Sequence, residues 1–109
     1  FFSTNEVTEL CALPVDRQHD RFFQYWTLKE AYIKARGMGL SIPLNQFSFH
    51  LRHDVYPGIS FHSQMDDRAS HWRFWQLQIS SEYLLAICVA RTENVAQKLN
   101  IRKIVPLAE

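Results

Sequence analysis

Apolar residues recur at helical spacing through the first third of the chain, and at every second position through much of the remainder. The change falls near Gln46. Before it, Ser3 reads as a helix N-cap with Glu6 at the third helical position. Together they make a capping box, with Phe2 placed to staple onto Val7. This predicts a short helix from Ser3 to about Leu13, with Val7, Leu10 and Cys11 facing inward. Pro14 ends it, because the residue before a proline avoids the helical region. Asp16 then reads as the cap of a long helix from about Arg17 to Arg36. Phe22, Trp26 and Ile33 form its burying stripe, and Gly37 supplies a left-handed stop. Residues Gly37 to Pro43 read as a turn in which Gly37 and Gly39 are free to take positive φ.

Beyond Gln46, Phe47, Phe49 and Leu51 alternate with polar residues and predict a half-buried strand. Asp54 to Gly58 reads as a turn, Ile59 to Ser63 as a second strand, and Asp66 to Ser70 as a polar loop. His71 to Ile79 alternates again, and Ser80 to Glu82 turns the chain. The unbroken apolar run from Tyr83 to Ala90 predicts a central strand buried on both faces. Thr92 to Asn100 reads as a short helix or an irregular tail, with Ile104 and Val105 as a last edge strand. Two helices followed by sequential strands give an α+β class: short helix, long helix, then an antiparallel sheet packed on the long helix.

Length fits one domain over residues 1–109, and 47% hydrophobic residues suffice for a modest core. A net charge of +1 compels no nucleic-acid partner. The run His71-Trp72-Arg73-Phe74-Trp75 interleaves basic and aromatic residues, but its alternation reads as burial of one set with Arg73 on the other face. No run of 18 apolar residues predicts a membrane span, and no signal peptide is visible. A start at Phe1 without Met suggests a processed or truncated chain. Cys11 and Cys88 have no metal or disulfide spacing and read as reduced core thiols, which places the protein in the cytoplasm. Of the five histidines, His50, His53, His62 and His71 show no zinc-ligand spacing. No G-x-S-x-G elbow marks a serine nucleophile.

The long helix carries the candidate chemistry. Glu30 and Lys34 lie one turn apart, with Lys29 beside them, so one helix offers a carboxylate and two ammonium groups to a divalent cation and an anion. The same spacing is also the commonest stabilising pair on a solvated helix face. Glu6 is fully explained as a capping residue, and a capping carboxylate at a domain edge can also face a cleft.

The string W-T-L-K-E-A-Y-I-K-A-R-G-M-G-L, Trp26 to Leu40, resembles the W-x-x-K-E-[AS]-x-x-K-x-x-G-x-G-L signature of 4′-phosphopantetheinyl transferases. The resemblance is closest to the larger, surfactin-synthetase-activating class. It extends upstream through F-F-S-x-x-E, Phe1 to Glu6, and downstream through P-L-x-x-F-x-F, Pro43 to Phe49. It implies Mg²⁺-dependent transfer of the 4′-phosphopantetheine arm from coenzyme A to a serine of an acyl or peptidyl carrier protein. Glu30 would be a magnesium ligand, Lys34 a contact to coenzyme A phosphate, Lys29 a support of the same cluster, Glu6 a base and Trp26 a structural residue. The class consists of two similar α+β halves, and this chain resembles the C-terminal half alone. The Asp-x-Glu metal ligands that precede F-F-S in the class are absent from a chain that begins at Phe1. The resemblance therefore predicts weak or no activity for the isolated chain, and pairing with an N-terminal half or self-association. A non-catalytic carrier-protein-docking module is the alternative.

Overall fold

Ser3 caps the first helix as its sequence predicts. In the computed structural model, its hydroxyl accepts from the Glu6 backbone N–H at 3.2 Å, and Glu6 Oε1 accepts from the Ser3 N–H at 3.0 Å. The structure describes residues 2–37, 42–51, 56–91 and 98–106, the last through its backbone. Helix α1 spans Thr4–Ala12 and stops at Leu13, which is extended ahead of Pro14. The expected staple is not formed. Val7 is exposed, and Phe2 packs instead on Phe22 and Tyr25 of the next helix, with ring centroids 5.2 and 5.7 Å away. Cys11 also faces solvent, because the side of α1 that meets the rest of the molecule is the Glu6–Leu10 side.

Helix α2 spans Val15–Arg36. It starts two residues earlier than predicted. Pro14 sits at the cap position, and Asp16 lies in the first turn, where its charge favours the helix dipole without capping. Gly37 ends the helix at φ 71°, and its N–H donates to the carbonyls of Ile33 and Lys34 at 3.1 Å. Of the predicted stripe, Ile33 is buried and Trp26 half-buried against the core, but most of the buried face lies to one side of it. Tyr25, Leu28, Lys29, Ala31 and Tyr32 are sealed, whereas Phe22 is 40% exposed and lies parallel to Trp26 at 6.5 Å. Glu9 of α1 accepts from the Tyr25 hydroxyl and pairs with Arg21 at 3.1 Å, fastening the two helices.

Among the described residues the strands form two antiparallel sheets rather than one. Strand β1 (Phe47–His50) pairs with β2 (Gly58–Phe61), Phe47 opposite Phe61 and Phe49 opposite Ile59. Strands β3 (Trp72–Ser80), β4 (Tyr83–Ala90) and β5 (Lys98–Pro106) form the second sheet, with β4 in the centre. The apolar run thus takes the central position its composition predicts. Its inner residues Leu84, Ala86 and Cys88 are buried, while Leu85 and Ile87 on the other face are only half-buried. Leu77 and Ile79 on β3 are exposed, so that outer face is apolar without being fully covered.

Strand β5 corrects the expected helix or irregular tail where it reaches Lys98–Asn100; residues 92–97 lie outside the described ones. Ile101 pairs with Ile87 and Ile104 with Leu85, so three residues of β5 span two of β4. The expected edge strand at Ile104 and Val105 is found as part of β5, which lies at the edge of this sheet. Gly39 of the predicted turn, His53, and Asp54 and Val55 of the turn before Gly58 also lie outside the described residues.

The core fills the space between α2 and both sheets: Tyr25, Leu28, Tyr32, Phe47, Phe49, Phe74 and Cys88 pack together. Gln76 of β3 donates to Thr27 Oγ1 at 2.6 Å and to the Gln24 carbonyl at 2.9 Å, which sets the sheet against the helix. Among the described residues no helix is long and apolar enough to cross a membrane. Exposure separates the two thiols. Cys11 is expected to react with a thiol reagent in the native state and Cys88 only after denaturant is added. Equal rates for both in native buffer would contradict this packing.

Candidate active site on the long helix

Glu6 and Lys29 meet in the interior. Lys29 Nζ lies 2.8 Å from Glu6 Oε1, donates to the Phe47 carbonyl at 2.7 Å, and donates to the Leu44 carbonyl. An ammonium has three donors, so all three are used. The same nitrogen sits 4.2 Å from the centre of the Phe47 ring and 5.6 Å from that of Phe2, on the negative faces of the aromatics. Glu6 Oε2 accepts from the Phe49 N–H at 2.7 Å, and Oε1 also accepts from Ser3. Neither side chain reaches solvent, at 0% exposure for Lys29 and 1% for Glu6. Burial pulls the Lys29 pKa below its ordinary value, and the neighbouring Glu6 carboxylate opposes that pull. The pair joins α1, α2 and β1 at one point.

Glu30 and Lys34 occupy a different face. Glu30 is half-buried, with Oε1 screened from solvent, and Lys34 is exposed one turn further on. The structure therefore divides the four residues singled out on the sequence. It brings Glu6 and Lys29 together inside, and leaves Glu30 and Lys34 near the surface at the C-terminal end of α2. Trp26, one turn before Glu30, is half-buried against the core.

A further cluster holds this end of the helix, and it centres on Asp67 in the loop between β2 and β3. Asp67 Oδ2 accepts from the Tyr32 hydroxyl at 2.6 Å, from Arg36 Nη1 at 2.8 Å and from Trp72 Nε1 at 2.9 Å. Asp67 Oδ1 accepts from the Arg68 N–H at 2.7 Å and lies 3.3 Å from His71 Nδ1. Burial alone would raise this carboxyl. The bonds from Tyr32, Arg68 and Trp72, with the Arg36 charge, hold it below the usual range. Burial, with the bond to Asp67, pushes the Tyr32 hydroxyl well up. Sequence reasoning read Asp66 to Ser70 only as a polar loop. The available signal was the i, i+4 pair of Tyr32 and Arg36, two donors on one helix face that need an acceptor.

Whether the residues present suit a magnesium ion turns on the donor set. Mg²⁺ is commonly held by one or two carboxylates, with waters and substrate phosphates completing an octahedron. The half-buried carboxylate of Glu30 fits as one such ligand. Among the described residues no group of three or more His, Cys, Asp or Glu converges on a point.

Comparison with known proteins follows the same direction. The family model described as the 4′-phosphopantetheinyl transferase superfamily matches residues 1–88. The chain is 34% identical over 93 residues to 4′-phosphopantetheinyl transferase Sfp of Bacillus subtilis, covering 85% of this chain and 40% of that protein. It is 43% identical over 111 residues to 4′-phosphopantetheinyl transferase psf-1 of Bacillus pumilus, covering 92% of this chain and 46% of the other. A putative 4′-phosphopantetheinyl transferase of Synechocystis is 36% identical over 90 residues, covering 79% and 31%. The chain thus spans less than half the length of these relatives. No solved structure matches it.

Proposed function

This chain belongs to the 4′-phosphopantetheinyl transferase superfamily, and from that premise we propose that it contributes one lobe of an enzyme moving the 4′-phosphopantetheine arm of coenzyme A to a carrier-protein serine. In the reaction the serine oxygen bonds to the phosphorus that bears the pantetheine arm. The bond from that phosphorus to the 3′,5′-ADP oxygen breaks, and the serine proton is released. A magnesium ion, when bound, would neutralise charge on the pyrophosphate oxygens.

The observation that carries this reading is the placement of Glu30 and Lys34. A half-buried carboxylate and an exposed ammonium lie one turn apart on a helix whose other side is locked into the core. Glu30 supplies the hard oxygen that the cation prefers. Lys34 supplies a positive point charge to a phosphate of coenzyme A. Lys29, with every donor engaged, holds α2 in place rather than meeting the substrate. Glu6, also a candidate base, is enclosed with Lys29, and in this reading it fixes the register of α1 and α2 while the serine proton leaves through water. The remaining metal ligands come from a second lobe, as the length of the relatives and the two-halved class both suggest.

The test uses the protein as its gene encodes it. Glu30→Gln is expected to lower kcat/KM on the order of 100-fold with folding intact, the range seen when one preorganised electrostatic group is removed. Lys34→Ala is expected to raise KM for coenzyme A about tenfold, the cost of one charge-assisted contact. Wild-type turnover by Glu30→Gln would end the proposal. A carrier protein that binds the wild type but receives no arm from it would favour the docking module instead.

A further inference from the structure

We propose that Asp67 is a positioning residue for the anion-binding end of α2, an inference that rests on the reading of Lys34 given above. Asp67 lies outside the three strings, Phe1 to Glu6, Trp26 to Leu40 and Pro43 to Phe49, that carry the resemblance in the sequence. Its side chain is 5% exposed, although it belongs to a loop, and each oxygen is engaged. Its donors come from three places: Tyr32 and Arg36 on α2, the loop backbone at Arg68, and the indole of Trp72 at the start of β3. Arg36 also donates to the Tyr32 hydroxyl at 2.7 Å, so the hydroxyl, guanidinium and carboxylate form a closed triangle.

The placement on the helix gives the triangle its purpose. Lys34 lies between Tyr32 and Arg36 in sequence, two residues from each, and two residues are about 200° of helical rotation. The face that Asp67 grips is therefore nearly opposite the face that carries Lys34. Pulling on Tyr32 and Arg36 turns Lys34 outward, and Lys34 is exposed as that requires. The grip falls on the last turn, immediately before Gly37 stops the helix. A last turn has lost half of its hydrogen-bond ladder and frays unless something outside the helix holds it. Glu6 and Lys29 anchor the middle of α2 through the core. Asp67 anchors its end, and without that anchor the ammonium of Lys34 has no fixed position relative to Glu30.

The experiment is a double-mutant cycle in the enzyme as its gene encodes it, at a temperature where every variant is fully folded. The four proteins are wild type, Asp67→Ala, Lys34→Ala and the double variant, and the readout is KM for coenzyme A against kcat. Asp67→Ala is expected to raise KM about tenfold, more than it lowers kcat, since a misplaced binding group costs up to about 100-fold. In the Lys34→Ala background the same change is expected to raise KM less than about twofold, because the group it positions is already gone. Asp67→Asn, which keeps the shape and one acceptor, should restore part of the loss and serves in place of the alanine variant if that does not fold. An unchanged KM in Asp67→Ala, or the same rise with and without Lys34, overturns the proposal. If Lys34→Ala itself leaves KM unaltered, the phosphate contact is wrong and this inference falls with it. If Lys34→Ala raises KM and Asp67→Ala does not, only the positioning role fails.

Discussion

Lys29→Met is expected to destabilise the chain by about 3–5 kcal/mol, and Glu6→Gln by a similar amount, because each strands a buried charge that its partner compensates. The basis is the geometry: an ammonium and a carboxylate 2.8 Å apart, neither reaching solvent. With Lys29 gone, Glu6 keeps its bonds from Ser3 and Phe49 but loses its countercharge. With Glu6 neutral, Lys29 keeps two carbonyls and the Phe47 ring. Neither remainder replaces a full opposite charge. A domain of this size has only about 5–15 kcal/mol in total, so either variant sits near the edge of folding. The double variant Glu6→Gln/Lys29→Met is the deciding one. It leaves no buried charge and should cost less than the sum of the singles by about 2 kcal/mol or more. Urea unfolding followed by circular dichroism measures all three. Single losses below about 1 kcal/mol that simply add would show that the pair does not hold α1, α2 and β1 together.

That pair also shows what the sequence makes legible. Ser3 and Glu6 were readable as a capping box because both bonds close within one turn, a local matter. Gly37 was readable because a left-handed stop needs glycine whatever surrounds it. Strands β1, β3 and β4 announced themselves through alternation or an apolar run. The buried face of α2 was not readable. Periodicity assigns lysine to solvent, and Lys29 is buried only because Glu6 and two carbonyls from a distant segment meet it there. The predicted stripe of Phe22, Trp26 and Ile33 runs through Lys29 and holds at Ile33 and, half-buried, at Trp26; what it lacks is the adjoining face of Tyr25, Leu28 and Tyr32, which the sheets cover.

The candidate site follows the same division. Glu30 and Lys34 were visible as a spacing on one helix and as a string resembling a family signature. Their separation from Lys29 into two environments required the fold. Asp67 required it even more, since its bonds to Tyr32 and Arg36 cross 35 and 31 residues of sequence. The division into two sheets was equally hidden. Alternation says that a segment is a strand, and it does not say which other strand it meets.

That last point leads to the second large effect, at the contact between the sheets. Phe74→Ala is expected to cost about 3–5 kcal/mol, the range for emptying a sealed phenylalanine site. Phe74 on β3 is 1% exposed and Phe49 on β1 is 2% exposed; their rings meet edge to face with centroids 4.8 Å apart. No ladder joins the β1–β2 pair to the three-stranded sheet among the described residues. Side-chain packing and α2 therefore hold the two together. The backbone N–H of Phe49 is bound to Glu6, so this residue is fixed by the ion pair on one side and by Phe74 on the other. Truncating both rings should show a coupling of about 0.5–1.5 kcal/mol beyond additivity, as expected of an aromatic pair in contact. Phe74→Leu, which refills part of the space, should recover much of the loss. A cost for Phe74→Ala below about 1 kcal/mol, with no coupling to Phe49, would mean that the sheets do not share a core. The segment from Leu44 to Phe47, whose carbonyls hold Lys29, would then have no fixed relation to the sheet behind α2.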